Sequence, residues 1–286
     1  MGTATKTAIT PREERVPVRN GLQIFIRSWL PAAQPRAIVG IVHGVKSHSG
    51  YYFWVAQQLV ERGFAVYALD LHGRGKSDGE RFYLEQMSDY VDDAHTLVRH
   101  AKSRHPSVPF FLLGHSAGGV ISSVYTLEHQ AELAGFICES FAFQVYAPDV
   151  ALAVVKGLSH VVPHVHVLNL KTEDFSRDPA AVRAMLEDPL IAGEVQPTNT
   201  VAELARADER LKREFPLITL PVLILHGTAD KVTRPGGSQF FYDTAGSTDK
   251  TLKLYEGHAH DLLNDLGREG VMGDIVAWLE ARLPAA

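Results

Sequence analysis

Short apolar runs alternate with longer segments of helical period along the chain. Residues 23–30 (QIFIRSWL) read as a strand closed by Pro31. Residues 37–42 (AIVGIV) form a nearly continuous apolar run, as in strands buried on both faces of a parallel sheet. Residues 52–62 then read as a helix stopped by Gly63, residues 65–69 as a strand, and His72 to Gly79 as a Gly-rich turn. Val91, Ala94, Leu97, Val98 and Ala101 make a helical stripe that ends before Pro106. Strands follow at 110–113, 135–139, 222–225 and 251–255, a helix opens at Ala117, and 271–283 read as a closing helix. This alternation predicts the α/β class: a mostly parallel sheet flanked by helices.

More than 75 residues without a convincing strand separate the runs at 135–139 and 222–225. Two strands of one sheet do not need that much chain, so residues 141–215 read as an inserted helical cap, with residues 1–140 and 216–286 as the core. Between 142 and 170 only Asp149 and Lys156 carry full charge. Two readings stay open there: a face packed on the core, or a lid whose apolar side meets a lipid-like substrate or a membrane surface. Val150 and Val154 are its candidate substrate contacts.

Composition narrows the class further. A chain of 286 residues, 45% hydrophobic and 21% charged, has ample material for a buried core. With 28 Lys+Arg against 33 Asp+Glu, the net charge of −5 argues against nucleic acid as the main partner. One cysteine, Cys138, allows neither an internal disulfide nor a Cys-rich zinc site. Met1 to Arg19 is polar, with no apolar leader, and no run of 18 apolar residues occurs. The expected location is the cytoplasm, peripheral at membranes if the cap touches lipid.

Candidate chemistry centres on Gly114-His115-Ser116-Ala117-Gly118, a G-x-S-x-G lying between an apolar strand and a helix. That context places Ser116 on a tight turn with its hydroxyl exposed. A serine hydroxyl needs a base and a group orienting that base. Asp230 follows the strand at 222–225, and His258 and His260 follow the strand at 251–255; the residues alone leave the two histidines competing.

At this point the chain resembles the monoacylglycerol lipase-like branch of the α/β-hydrolases, which also includes lysophospholipase- and serine aminopeptidase S33-type members. The resemblance covers most of the chain. It rests on the Gly257–His260–Leu262 spacing, on His43-Gly44-Val45 with His48-Ser49-Gly50 and Tyr52, and on the Gly-rich turn from Leu69 to Gly79. Ser176-Arg177-Asp178-Pro179 and Asp188-Pro189-Leu190 are similar to motifs more specific to this branch. The resemblance implies an eight-stranded sheet, His260 as base, and backbone N–H groups of Val45 and Ala117 as oxyanion hole. It also implies a polar alcohol pocket near Ser47, Tyr51 and His115. Ser47 and Tyr51 depart from the acidic residue and arginine common in monoacylglycerol lipases, which puts glycerol recognition in doubt without touching hydrolysis.

The expected function is a serine carboxylester hydrolase acting on monoacylglycerol-like or other single-chain esters, a small-molecule lipid substrate, with no cofactor and no metal. Alternatives are a lysophospholipase, short-chain esterase, acyltransferase or aminopeptidase of the same fold, and a non-catalytic binding member. The Ser116 nucleophile disfavours dehalogenases and epoxide hydrolases, which use aspartate. Among the 14 histidines, His160, His164 and His166 lack an acidic or thiolate neighbour for zinc. His43 and His226 read as turn residues, His95, His100, His105 and His129 as surface residues.

Overall fold

The computed structural model describes residues 9–19, 21–146 and 148–283, and the side chain of Asp149 is not described. The stretch from Met1 to Arg19, read as polar and without an apolar leader, therefore falls partly, at residues 1–8, outside the described residues. In chain order the strands and helices are β1 (Arg12–Pro17), β2 (Gln23–Trp29), β3 (Ala37–Val42), α1 (Phe53–Val60), β4 (Phe64–Asp70), α2 (Met87–Arg104), β5 (Phe110–His115), α3 (Ala117–His129) and β6 (Gly135–Glu139). They continue as α4 (Asp149–Leu158), β7 (His166–Leu168), α5 (Pro179–Glu187), β8 (Gln196–Pro197), α6 (Thr198–Glu214), β9 (Val222–Gly227), α7 (Pro235–Thr244), β10 (Lys250–Tyr255) and α8 (Arg268–Glu280).

One eight-stranded sheet runs in the order β1-β2-β4-β3-β5-β6-β9-β10. Its first two pairings, β1 with β2 and β2 with β4, are antiparallel, and the remainder are parallel. β3, β4, β5, β6 and β9 are buried at every position, which explains their unbroken apolar runs. Successive residues serve opposite faces: Ile38, Leu112 and Ile224 join the core beneath α2 and α3, whereas Val39, Leu113 and Leu225 join the one beneath α1 and α8.

Two features escape the hydrophobic pattern. β1 is an edge strand of alternating exposure, Arg12-Glu13-Glu14-Arg15-Val16-Pro17, within the N-terminal stretch that read only as polar. Within 141–215, read as purely helical, β7 and β8 form a small antiparallel pair of three and two residues, too short for any period to show. α4, α5 and α6 account for the helices of that segment, which enters after β6 and leaves into β9. No helix among the described residues is long and apolar enough to cross a membrane.

Candidate active site

Ser116 sits where β5 turns into α3, at φ 56°, ψ −120°, a sparsely populated conformation for a side-chain-bearing residue. The turn closes only because its neighbours are glycines. A Cβ on Gly118 would stand 2.1 Å from the Val42 carbonyl oxygen, and one on Gly114 2.5 Å from that of Gly118. The loops after β9 and β10 converge on this point. His260 Nε2 lies 2.8 Å from Ser116 Oγ, and its Nδ1 lies 2.7 Å from Asp230 Oδ2. All three residues are buried.

His258, the other histidine of that loop, is directed elsewhere: its Nδ1 lies 3.9 Å from Asp265, whose carboxylate accepts the Ala259 N–H and an Arg177 N–H. Asp265 thereby ties the loop to Ser176 and Arg177 of the inserted segment. Phe175 meets the His260 ring edge-on, with centroids 5.2 Å apart.

The Asp230 carboxylate is held by more than one histidine. Oδ1 accepts the N–H groups of Val232 and Thr233, while Oδ2 accepts the Thr233 hydroxyl at 2.8 Å and lies 3.0 Å from His226 Nε2. Burial by itself would raise this carboxyl, but the His260 and His226 imidazoles and their hydrogen bonds outweigh it and hold Asp230 far below the usual range. His226 in turn contacts Ser238 Oγ through Nδ1 at 2.7 Å. Neither His226 nor Thr233 announces this in the sequence, because both look like ordinary turn residues. Thr233 stands three residues after Asp230, the spacing at which a hydroxyl can reach back, and that is the one signal available.

Val45 and Ala117 border Ser116, and their backbone N–H groups donate to no backbone acceptor among the described residues. With Phe175, Met185, Ile191 and Val232 they make an apolar cluster beside the serine. Ser47 and His115 are buried. His115 Nδ1 is 3.4 Å from the Tyr52 hydroxyl, and its Nε2 is buried without a partner. Burial, reinforced by the nearby His260, pushes His115 well below its ordinary value, so it is neutral. Tyr51 donates to Asp188 Oδ2 at 2.9 Å and lines a cavity of about 270 Å³ with Met185 and Asp261. Val150 and Val154 are not gathered with these residues. They stand 76% and 54% exposed on the outer side of α4, one turn apart and in line with exposed Leu158.

Among the described residues, His115, Glu139 and Asp261 bring ligand atoms within 4.8 Å of one another, as do His95 on α2, His129 at the end of α3 and Glu132 just beyond it; these are the residues there that could hold a metal ion. Burial, with repulsion from Asp261, raises Glu139 well above the carboxylate range, and burial raises Asp261 to about 6, which weakens the buried group as a cation site. His160 contacts Arg206, and His164 pairs with Glu80 and stacks on Tyr83, so those histidines do not converge. His43 and His226, read as turn residues, are fully buried and bonded.

A nucleophile hydroxyl, an imidazole and a carboxylate in hydrogen-bonded series on an α/β sheet can carry out acyl transfer. Comparison with known proteins agrees with that chemistry. The family described as serine aminopeptidase, S33 matches residues 33–267. The monoacylglycerol lipase of Mycolicibacterium smegmatis (strain ATCC 700084 / mc(2)155) is 33% identical over 265 residues, 92% of this chain and 95% of that protein. The crystal structure of Paleococcus ferrophilus monoacylglycerol lipase superposes with a TM-score of 0.82 at 29% identity, covering 91% of this chain and 99% of that one. A soluble variant of the Saccharomyces cerevisiae monoglyceride lipase, solved with a substrate analog, shares the fold at a TM-score of 0.86 and 21% identity, covering 100% and 98%. The chain therefore belongs to the serine aminopeptidase S33 family of α/β-hydrolases, in its monoacylglycerol lipase-like branch, and is a carboxylic ester hydrolase.

Proposed function

We propose that the protein hydrolyses monoacylglycerol-like, single-chain esters through an acyl-enzyme formed on Ser116. The observation that carries this reading is the continuous hydrogen-bonded series Ser116–His260–Asp230 on loops of three different strands. His260 Nε2 takes the hydroxyl proton as Ser116 Oγ attacks the ester carbonyl, and Asp230 holds the imidazole with Nδ1–H and balances its charge. The carbonyl oxygen becomes an oxyanion, received by the N–H groups of Val45 and Ala117. Collapse of the intermediate breaks the C–O bond, and His260 returns the proton to the departing alcohol. Water then attacks the acyl-enzyme with His260 again as base, releasing the fatty acid and restoring Ser116.

Residues 141–215 serve in this reading as a cap over the serine. The apolar cluster of Val45, Ala117, Phe175, Met185, Ile191 and Val232 receives the start of the acyl chain. The exposed side of α4, with Val150, Val154 and Leu158, together with Val161 just beyond it, is the surface through which the cap meets a lipid aggregate or the cytoplasmic face of a membrane. Fluorophosphonate labelling tests the nucleophile: the adduct maps to Ser116 and monoacylglycerol blocks it. Labelling elsewhere, or none on folded protein, contradicts the reading.

A further inference from the structure

His226 lies at the end of β9, four residues before Asp230, and is wholly buried. Both ring nitrogens meet side chains: Nε2 is 3.0 Å from Asp230 Oδ2, and Nδ1 is 2.7 Å from Ser238 Oγ in the first turn of α7. The Ser238 hydroxyl is also fully buried and makes no other hydrogen bond among the described residues, so its hydrogen is directed at Nδ1. Nδ1 then accepts, Nε2 bears the ring hydrogen, and the bond to the carboxylate runs from His226 to Asp230.

Asp230 Oδ2 is therefore shared by three donors: His260 Nδ1–H at 2.7 Å, the Thr233 hydroxyl at 2.8 Å and His226 Nε2–H at 3.0 Å. Oδ1 accepts two, the N–H groups of Val232 and Thr233. Five donors thus meet a group with about four lone-pair sites, and those on Oδ2 compete. Charge that His226 draws from Oδ2 is withheld from the imidazolium of His260, the proton-bound form that cannot act as base in the resting enzyme.

Other ionisable groups surround this carboxylate. His115 at the end of β5 is neutral, and its ring stands 5.2 Å from that of His260. Burial holds Glu139, at the end of β6, well above the carboxylate range and raises Asp261, next to His260, to about 6. Tyr146 donates to the Asp230 backbone carbonyl, Arg234 covers the Tyr146 ring, and Lys231 and Arg234 are exposed to water. Among the described residues, none of these donates to Oδ2.

We propose that His226, oriented by Ser238, is a positioning residue that competes with His260 for the shared oxygen of Asp230, so that hydrolysis sets in at a lower pH than it would without that donor. The proposal rests on Ser116–His260–Asp230 being the acyl-transfer series.

The test is the pH profile of kcat/KM for p-nitrophenyl butyrate, followed by pH-stat, in wild type, His226→Phe and His226→Gln. Glutamine keeps a donor at the reach of Nε2 but takes up no proton, whereas phenylalanine keeps only the shape of the ring. His226→Phe strands the buried Ser238 hydroxyl, so the paired change His226→Phe with Ser238→Ala, which leaves no unpaired group, is made alongside it. In both phenylalanine variants the acid limb is expected to move to higher pH by about one unit, with KM within about twofold of wild type. In His226→Gln the limb should stay with wild type. Asp261 titrates in all variants alike, so the comparison isolates His226. A residue that only ties β9 to α7 would change stability and leave the limb in place. An unmoved limb in the folded paired variant therefore overturns the proposal, as does a limb displaced equally in His226→Gln. If Ser116→Ala kept wild-type turnover, the acyl-transfer series itself would fall, whatever the limb does.

Discussion

Glu194 of the inserted segment accepts the backbone N–H of Lys46 on the loop after β3, at 2.9 Å, and the same carboxylate pairs with Arg74 from the Gly-rich turn. Both charged groups are buried, and Arg74 also donates to Tyr90 and Gln196. Removing one partner of a buried pair strands the other charge, so Glu194→Ala should destabilise the protein by about 3 kcal/mol. Replacing both partners by methionine should cost less than that single change. Urea unfolding of the single and double variants checks this, and equal losses would mean the ion pair is not the tie.

The two histidines of the β10 loop differ in partner, and activity should follow. His260→Ala is expected to lower kcat by about 10⁴-fold, because the imidazole proposed as base is lost. His258→Ala should stay within about threefold of wild type, since that ring lies by Asp265 rather than Ser116. Steady-state hydrolysis of p-nitrophenyl butyrate separates them, and comparable losses would contradict the assignment.

Thr233 gives the Asp230 carboxylate its one hydroxyl donor among the described residues. Thr233→Val keeps the shape and the backbone donor but removes the hydroxyl, at a cost of about 1 kcal/mol in barrier, or about fivefold in kcat. KM should hardly move. A change confined to KM would show that Thr233 shapes the pocket rather than the carboxylate.

His43 titration should appear in stability. Its Nε2 accepts the Leu71 N–H while Nδ1 donates to the Gly44 carbonyl, an arrangement only neutral imidazole can make. Burial lowers it from 6.5 to about 4. Its contribution is intact above pH 6.5 and is lost as pH falls toward about 4, where the unfolded chain binds the proton first, a change of up to about 3 kcal/mol. Buried Glu139 and Asp261 push the other way, because their raised carboxyls favour the folded state as pH falls. The difference between wild type and His43→Asn isolates the histidine: their gap in unfolding free energy should narrow as pH falls from 6.5. A gap independent of pH would sink this account.

The sheet was legible because strands buried on both faces leave continuous apolar runs, as Ala37–Val42 and Val222–Gly227 do. β1 was not, because an edge strand needs no apolar face to hold its ladder. Ser116 and Asp230 could be read from local turn chemistry, whereas the choice of His260 over His258 depends on where a whole loop is tied down, through Asp265. His226, Thr233 and Glu194 act through partners distant in sequence or through a reaching side chain, and such relationships leave no periodic trace. The outward side of α4 was legible as apolar but not as outward, since hydrophobicity alone does not say what a helix faces.

The most direct measurement is hydrolysis of p-nitrophenyl butyrate by Ser116→Ala alongside wild type, with both shown to be folded. With Ser116 as nucleophile, kcat/KM should fall by about 10⁴-fold or more. Retention of wild-type activity would contradict the account at its centre.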